Sequence, residues 1–207
     1  MIRLMARAVI VTDTAARNAV LSSAAECFVR LGISQTTAAD IARGAGISRA
    51  TLYRRYGGTV EIFHAVLARE SEQMSADAAD LLASVTDPSL RLVEGMVFAI
   101  QEVQRRPVHA ALFSTGDADW SARRAIRATS LRRISEDAIR PLIDVTGTGL
   151  AEPELGDLVD WILRLIISYA TVPGPGDLDE ATIRRQLNRL LVPAVTALLG
   201  RATPEEI

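Results

Sequence analysis

An all-α protein is predicted by three features of this 207-residue chain. Apolar residues recur at three- and four-residue spacings nearly throughout, and no run alternates strictly with period two. The clearest breaks, Gly32, Asp87-Pro88, Gly147-Thr-Gly149 and Pro173-Gly-Pro-Gly176, fall between those stretches. With 49% hydrophobic and 23% charged residues, the chain has material for one or two cored domains. No window approaches 18 uninterrupted apolar residues, so no membrane span is expected.

The first helix is expected to open near Thr12–Thr14, where Asp13 or a threonine can cap free N–H groups. Leu21, Ala24, Phe28 and Leu31 form its apolar stripe, and Gly32 stops it. Short helices follow at about 37–45 and 48–55, then a longer one at about 59–84. Beyond Asp87-Pro88 the spacing predicts helices at roughly 88–105, 107–115, 119–146, 153–171 and 179–200. The helix from Pro88 carries Leu90, Leu92, Val93, Met96, Val97, Phe98, Ile100 and Val103 around most of its circumference, as a helix inside a bundle does. The last two helices carry wide stripes, including Leu158, Ile162 and Leu165 in one and Leu187, Leu191 and Val195 in the other. Both exceed what one small domain needs, so part of this area should meet another chain. Of Leu187 and Leu191, one is expected to face the partner and the other its own subunit. Arg164, isolated in an apolar run, is placed to pair with Asp160.

Several chemistries lack raw material. The single Cys27 gives no internal disulfide and no cysteine zinc site, and is expected to be buried as a small hydrophobe. His64 and His109 are the only histidines; the first is expected to be packed or half-exposed, the second to lie at the surface or cap a helix. No Ser-His-Asp set, metal-spaced cluster or glycine-rich phosphate loop occurs. No enzyme activity, metal or cofactor is therefore expected. The apolar run Ala8–Val11 is too short for a signal peptide, which predicts a cytoplasmic protein.

All 23 basic residues are arginine, and they are unevenly placed. Residues 1–69 hold nine Arg against Asp13, Glu26, Asp40 and Glu61, whereas the remainder holds 14 Arg against 21 acids. A basic head on an acidic body suggests that the head alone meets a polyanion. Within it, residues 36–56 read TTAADIARGAGISRATLYRRY. Ala42 is small enough for a second helix to cross it, and Gly46 permits a corner with positive φ. Ile41, Ala45, Ile47 and Leu52 can fill the core of a helix-turn-helix, and Ser48 can cap its second helix. The outward face is then Arg49, Ala50, Thr51, Tyr53 and Arg55, suited to a DNA major groove. A plain helical hairpin satisfies the same spacing; the basic head favours DNA.

Residues 14–70 resemble the tetracycline-repressor (TetR) family of transcriptional regulators. AARNAVLSSAAECFVRLGISQTT is similar to that family's first helix, and DIARGAGISRATLYRRY to its DNA-binding motif. The resemblance implies an N-terminal three-helix DNA-binding head over 11–71, with the motif at 37–56, and a helical effector-binding and dimerisation body over 72–207. It implies that Thr37 holds a phosphate, that Arg49, Ala50 and Thr51 face bases, and that Tyr53 and Arg55 reach the backbone or a base edge. Ser48 and Arg54 complete the candidate DNA-binding set. One departure stands out: Thr59 replaces the lysine that usually opens the fourth helix, and Arg54, Arg55 or the arm with Arg3 and Arg7 would have to compensate. For the body, the resemblance implies a cavity for a small effector, with Met96, Ile100, Phe113, Trp120 and Trp161 as candidate lining; the few charged residues on the inner helix faces make that effector largely apolar. It further implies a homodimer through the helices near 153–171 and 179–200, bound to a double-stranded operator, usually as a repressor. Two other readings are a helix-turn-helix scaffold answering to a protein partner and an all-helical enzyme.

Overall fold

The computed structural model describes residues 2–112, 133, 136, 137, 152–172 and 179–201. The expected helix at 119–146, both glycine-containing breaks beyond it, Phe113 and Trp120 lie outside these residues, as do the side chains of Arg3 and Arg7. Among the described residues every regular element is helical: α1 Ile2–Leu31, α2 Ala38–Gly44, α3 Arg49–Tyr56, α4 Thr59–Leu81, α5 Pro88–Arg105 and α6 Pro107–Leu112. Then come α7 Glu152–Thr171, α8 Glu180–Gln186, a π-helical turn Leu187–Leu191 and α9 Val192–Arg201.

The start of α1 corrects the expected cap at Thr12–Thr14. No glycine or proline precedes Gly32, so nothing breaks the helix before it reaches Ile2. Its stop is as expected: Gly32 adopts φ 88° and donates to the Phe28 carbonyl at 3.1 Å. Leu21, Ala24 and Phe28 are buried together with Val20 and Cys27, but Leu31, in the last turn, is 37% exposed. At its other end α4 stops at Leu81, three residues early. Arg91 donates to the Leu82 and Val85 carbonyls at 2.7 and 2.9 Å, so that turn needs no further helix.

Two apolar clusters organise the chain. The first joins α1, α2, α3 and α4 through Phe28, Ile41, Leu52, Ile62, Phe63 and Val66, with Phe28 meeting Phe63 edge-on at 5.6 Å. It also takes Val108 and Leu112 from α6, far along the sequence. The second joins α5, α7, α8, the π-turn and α9. Met96 and Ile100 lie in it beside Leu158, Val159 and Ile162. An ion-paired joint lies between α4 and α5: Arg106 bonds Glu102 at 2.8 Å and also bonds Asp77 of α4.

Three expectations in the body are corrected. Leu187 and Leu191 both face their own subunit's core, because residues four apart share a helix face. The outward leucine is Leu190, 66% exposed. Arg164 is exposed and, among the described residues, is not paired with Asp160, while Arg184 ties α8 to α5 through Glu94 at 2.7 and 2.8 Å. His109 is neither a surface nor a capping residue: it is 5% exposed, because α6 turns it inward with Val108 and Leu112. Burial, then the nearby Arg106, lowers its pKa to about 4, so it is neutral at pH 7. His64 is half-buried beside Phe63, and Cys27 is buried, as expected of both.

Candidate nucleic-acid interface

The three helices of the head are placed by short local devices. Thr37 begins α2 as a capping box: its hydroxyl accepts from the Asp40 N–H at 3.3 Å, and the Asp40 carboxylate accepts from the Thr37 N–H at 3.1 Å. α2 ends at a corner in which Gly46 has φ 66°, the Gly46 N–H donates to Arg43 and the Ile47 N–H donates to Ala42 at 3.0 Å. The space around Gly46 is open, so the backbone angle is what requires glycine there. At Gly44 the requirement is room, since a Cβ would lie 2.3 Å from the Ser23 hydroxyl of α1. That hydroxyl donates to the Ile41 carbonyl at 2.9 Å, which draws α1 and α2 together. Ser48 then caps α3, accepting from the Thr51 N–H at 3.1 Å.

With Leu52 buried, α3 turns Arg49, Ala50, Tyr53, Arg54 and Arg55 outward and leaves Thr51 half-buried. Arg49, Arg54 and Arg55 form no ion pair among the described residues, so three guanidinium groups stand free on one short helix. The Arg49 guanidinium lies 5.5 Å from the centroid of the Tyr53 ring. Two hydroxyls are engaged with neighbours: Ser48 and Thr51 bond each other at 2.9 Å. Thr37 donates its hydroxyl proton to Asp40, and this bond, with the backbone one, holds the Asp40 carboxyl below the usual range. A phosphate at Thr37 would therefore meet an anion already paired with Arg43 at 3.2 Å. At the start of α4, where Thr59 stands, the Glu61 carboxylate accepts from the Gly58 N–H at 2.9 Å. The structure thus gathers Ser48 through Arg55 on one helix and places Thr37 at the head of α2.

The capping box and the Arg49–Tyr53 contact escaped the sequence reading, although T-x-x-D before an apolar pair and an Arg–Tyr pair four apart both signal them. Of the residues expected to line an effector site, Met96 and Ile100 are buried together, whereas Trp161 is 39% exposed and faces away from them. Its neighbours Val159 and Ile162 take the inward positions of α7. Among the described residues, no group of His, Cys, Asp and Glu could hold a metal, and no helix is long and apolar enough to cross a membrane.

Residues 20–66 match the family model described as bacterial regulatory proteins, tetR family. An uncharacterised HTH-type transcriptional regulator of Mycobacterium tuberculosis, Rv1255c, is 26% identical over 182 residues, which cover 87% of this chain and 86% of that protein. The TetR-family repressor AlkX from Dietzia sp., implicated in biodegradation of n-alkanes, shares the fold with a TM-score of 0.63 at 20% identity, over 88% of this chain and 96% of that one. RolR in complex with resorcinol gives 0.58 at 17% identity, over 93% and 96%. Residues 20–66 thus form a tetR-family DNA-binding head, on a chain that is similar along most of its length to an HTH-type transcriptional regulator and that shares its all-helical fold with TetR-family structures.

Proposed function

We propose that the chain works as a homodimeric repressor whose α3 enters the major groove of an operator and whose affinity is set by a small, largely apolar effector. The observation that carries the DNA part is the outward face of α3, with three arginines that form no ion pair among the described residues and a tyrosine beside a capped helix start. In this reading Arg49, Ala50 and Thr51 face base edges, while Thr37, Ser48, Tyr53, Arg54 and Arg55 contact the sugar-phosphate backbone or adjoining base edges. Arg54 and Arg55 stand in for the absent lysine at Thr59. The head extends over 11–71 and the body over 72–207, with α6 of the body docked into the head's core.

The dimer is supported by Trp161 and Leu190, large apolar side chains that α7 and the π-turn leave outside the subunit's own core. The apolar effector is supported by the aliphatic surroundings of Met96 and Ile100. A related fold holds resorcinol. Burial of both side chains among close neighbours favours a second reading, a scaffold answering to a protein partner, because an effector would have to open that packing.

Selection of duplexes from a randomised pool by the purified protein, followed by footprinting, tests the DNA reading. A near-palindromic site whose affinity falls steeply with salt is the expected result; equal binding to scrambled duplex would overturn it. Sedimentation of wild type and Leu190→Asp tests the dimer: a wild-type dimer that dissociates on substitution supports it, and a wild-type monomer at micromolar concentration refutes it. Operator affinity measured against an apolar compound library, on wild type and Met96→Trp, separates the two body readings. An effector that acts on wild type alone favours the pocket.

A further inference from the structure

The geometry points to Tyr53 as a positioning residue for sequence readout, acting through its ring on Arg49 rather than through its hydroxyl. It rests on the reading that Arg49 faces bases, and extends it to the residue that aims Arg49.

The first turn of α3 has little else with which to read a base. Ala50 offers no hydrogen bond, and the Thr51 hydroxyl is engaged with Ser48 at 2.9 Å. Arg49 is therefore the side chain there with uncommitted donors. An arginine on an exposed helix samples many rotamers, and fixing it in one bidentate geometry costs that freedom. Here its guanidinium lies 5.5 Å from the Tyr53 ring centroid, inside cation–π range. Among the described residues no hydrogen bond or ion pair engages this guanidinium, so its N–H donors remain for guanine N7 and O6 to accept from.

The ring is itself seated. Tyr53 is 47% exposed, out of the head's core, yet its Cε1 lies 3.6 Å from where a Cβ would stand on Gly58. That turn is held by the Gly57 N–H donating to the Tyr53 carbonyl at 3.2 Å and by the Gly58 N–H donating to Glu61. Arg49 rests on Tyr53, and Tyr53 rests beside the first turn of α4. Tyr56, three residues on, packs instead against the apolar cluster and leaves this place to Tyr53.

The experiment uses the full chain and a duplex selected by wild type from a randomised pool. The readout is discrimination, the ratio of Kd values for that duplex with and without a change at the base pair protected by Arg49. Tyr53→Leu should lower discrimination roughly 2- to 5-fold, the scale of an exposed cation–π contact. Tyr53→Phe should retain it even where overall affinity drops, and in an Arg49→Ala background Tyr53→Leu should change it no further. Thermal unfolding confirms that the variants are folded. If Arg49→Ala leaves discrimination intact, the base-reading role of Arg49 falls and this inference with it. If Arg49→Ala abolishes discrimination while Tyr53→Leu preserves it, Arg49 still reads bases and only the positioning role of Tyr53 is overturned. Equal loss in Tyr53→Phe and Tyr53→Leu assigns the effect to the hydroxyl and likewise overturns it.

Discussion

In the head, Arg49, Arg54 and Arg55 stand on one helix with no carboxylate partner among the described residues; in the body, Arg106 and Arg184 are each clamped by two, Glu102 and Asp77 for one, Glu94 and Glu180 for the other. The same side chain is put to two uses. An unpaired guanidinium at the surface stays hydrated and available to a polyanion. A paired one ties two helices together, and its hydrogen bonds hold the carboxyls of Glu94 and Asp77 below their usual range. What each region leaves unsatisfied differs accordingly: charge on the head, apolar area at Trp161 and Leu190 on the body. Helix starts are capped in both regions, by Thr37 and Ser48 in the head and by Asp87 and Asp179 in the body; the body adds cross-helix ion pairs at Arg106 and Arg184. On the proposed reading, the charged face of α3 is the one that would receive DNA, and the apolar face with Trp161 and Leu190 the one that would receive a second copy.

The severest way to break the comparison is to empty the head's core. Phe63→Ala removes the ring that meets Phe28 and should cost about 3–5 kcal/mol, enough to abolish DNA binding. Leu190→Ala, on the outer face of the body, should change a subunit's own stability by less than about 0.5 kcal/mol. Urea unfolding followed by circular dichroism, with a duplex-binding assay, checks both; equal costs would mean that the two regions are not built differently.

Acid should sharpen it next. His109 sits where the body's α6 enters the head, and its pKa falls from 6.5 to about 4 on burial. The groups acting on it are Arg106 at the α5–α6 junction, Glu102 of α5 and Glu70 of α4. Above pH 6.5 the imidazole is neutral in both folded and unfolded chains. As pH drops from 6.5 toward 4 the unfolded chain takes up a proton that the folded chain refuses, so stability is lost through that window. Between pH 7 and 5 the loss should reach about 2 kcal/mol, and His109→Leu should flatten the profile. An unchanged slope in that variant would show that another group titrates there.

Smaller effects follow at single contacts. Ser48→Ala removes the cap of α3 and should cost about 1 kcal/mol, seen as a lower unfolding midpoint and weaker binding to all duplexes. Arg184→Ala should cost about 1 kcal/mol or less at pH 7, since the pair is partly solvated. Because Arg184 depresses the Glu94 pKa, that difference should hold above the carboxylate's ordinary 4.5 and shrink as pH falls through its lowered value. A difference that persists at pH 2 would assign the effect to packing.

Much of residues 36–56 is readable from the sequence because most of what shapes this segment acts over a few positions. Ser48 closes a helix start, Gly46 takes the positive φ of the corner, and a three-to-four spacing turns Ile41 and Leu52 inward. The same local logic located Pro88 at the first turn of α5 and Gly32 at the end of α1. Periodicity says which side chains share a helix face, but not which neighbour covers that face or whether one does. Hence His109 reads as a surface or capping residue in the sequence but is buried where α6 docks in the head, and Trp161 reads as inward although Val159 and Ile162 take the inner positions of α7. Gly44 reads as an ordinary glycine in a short helix; only the approach of Ser23, 21 residues away in sequence, gives it a reason. The reach of each force sets that division: caps, corners and helix faces arise within a turn or two of the chain, while burial depends on segments brought together from its far ends.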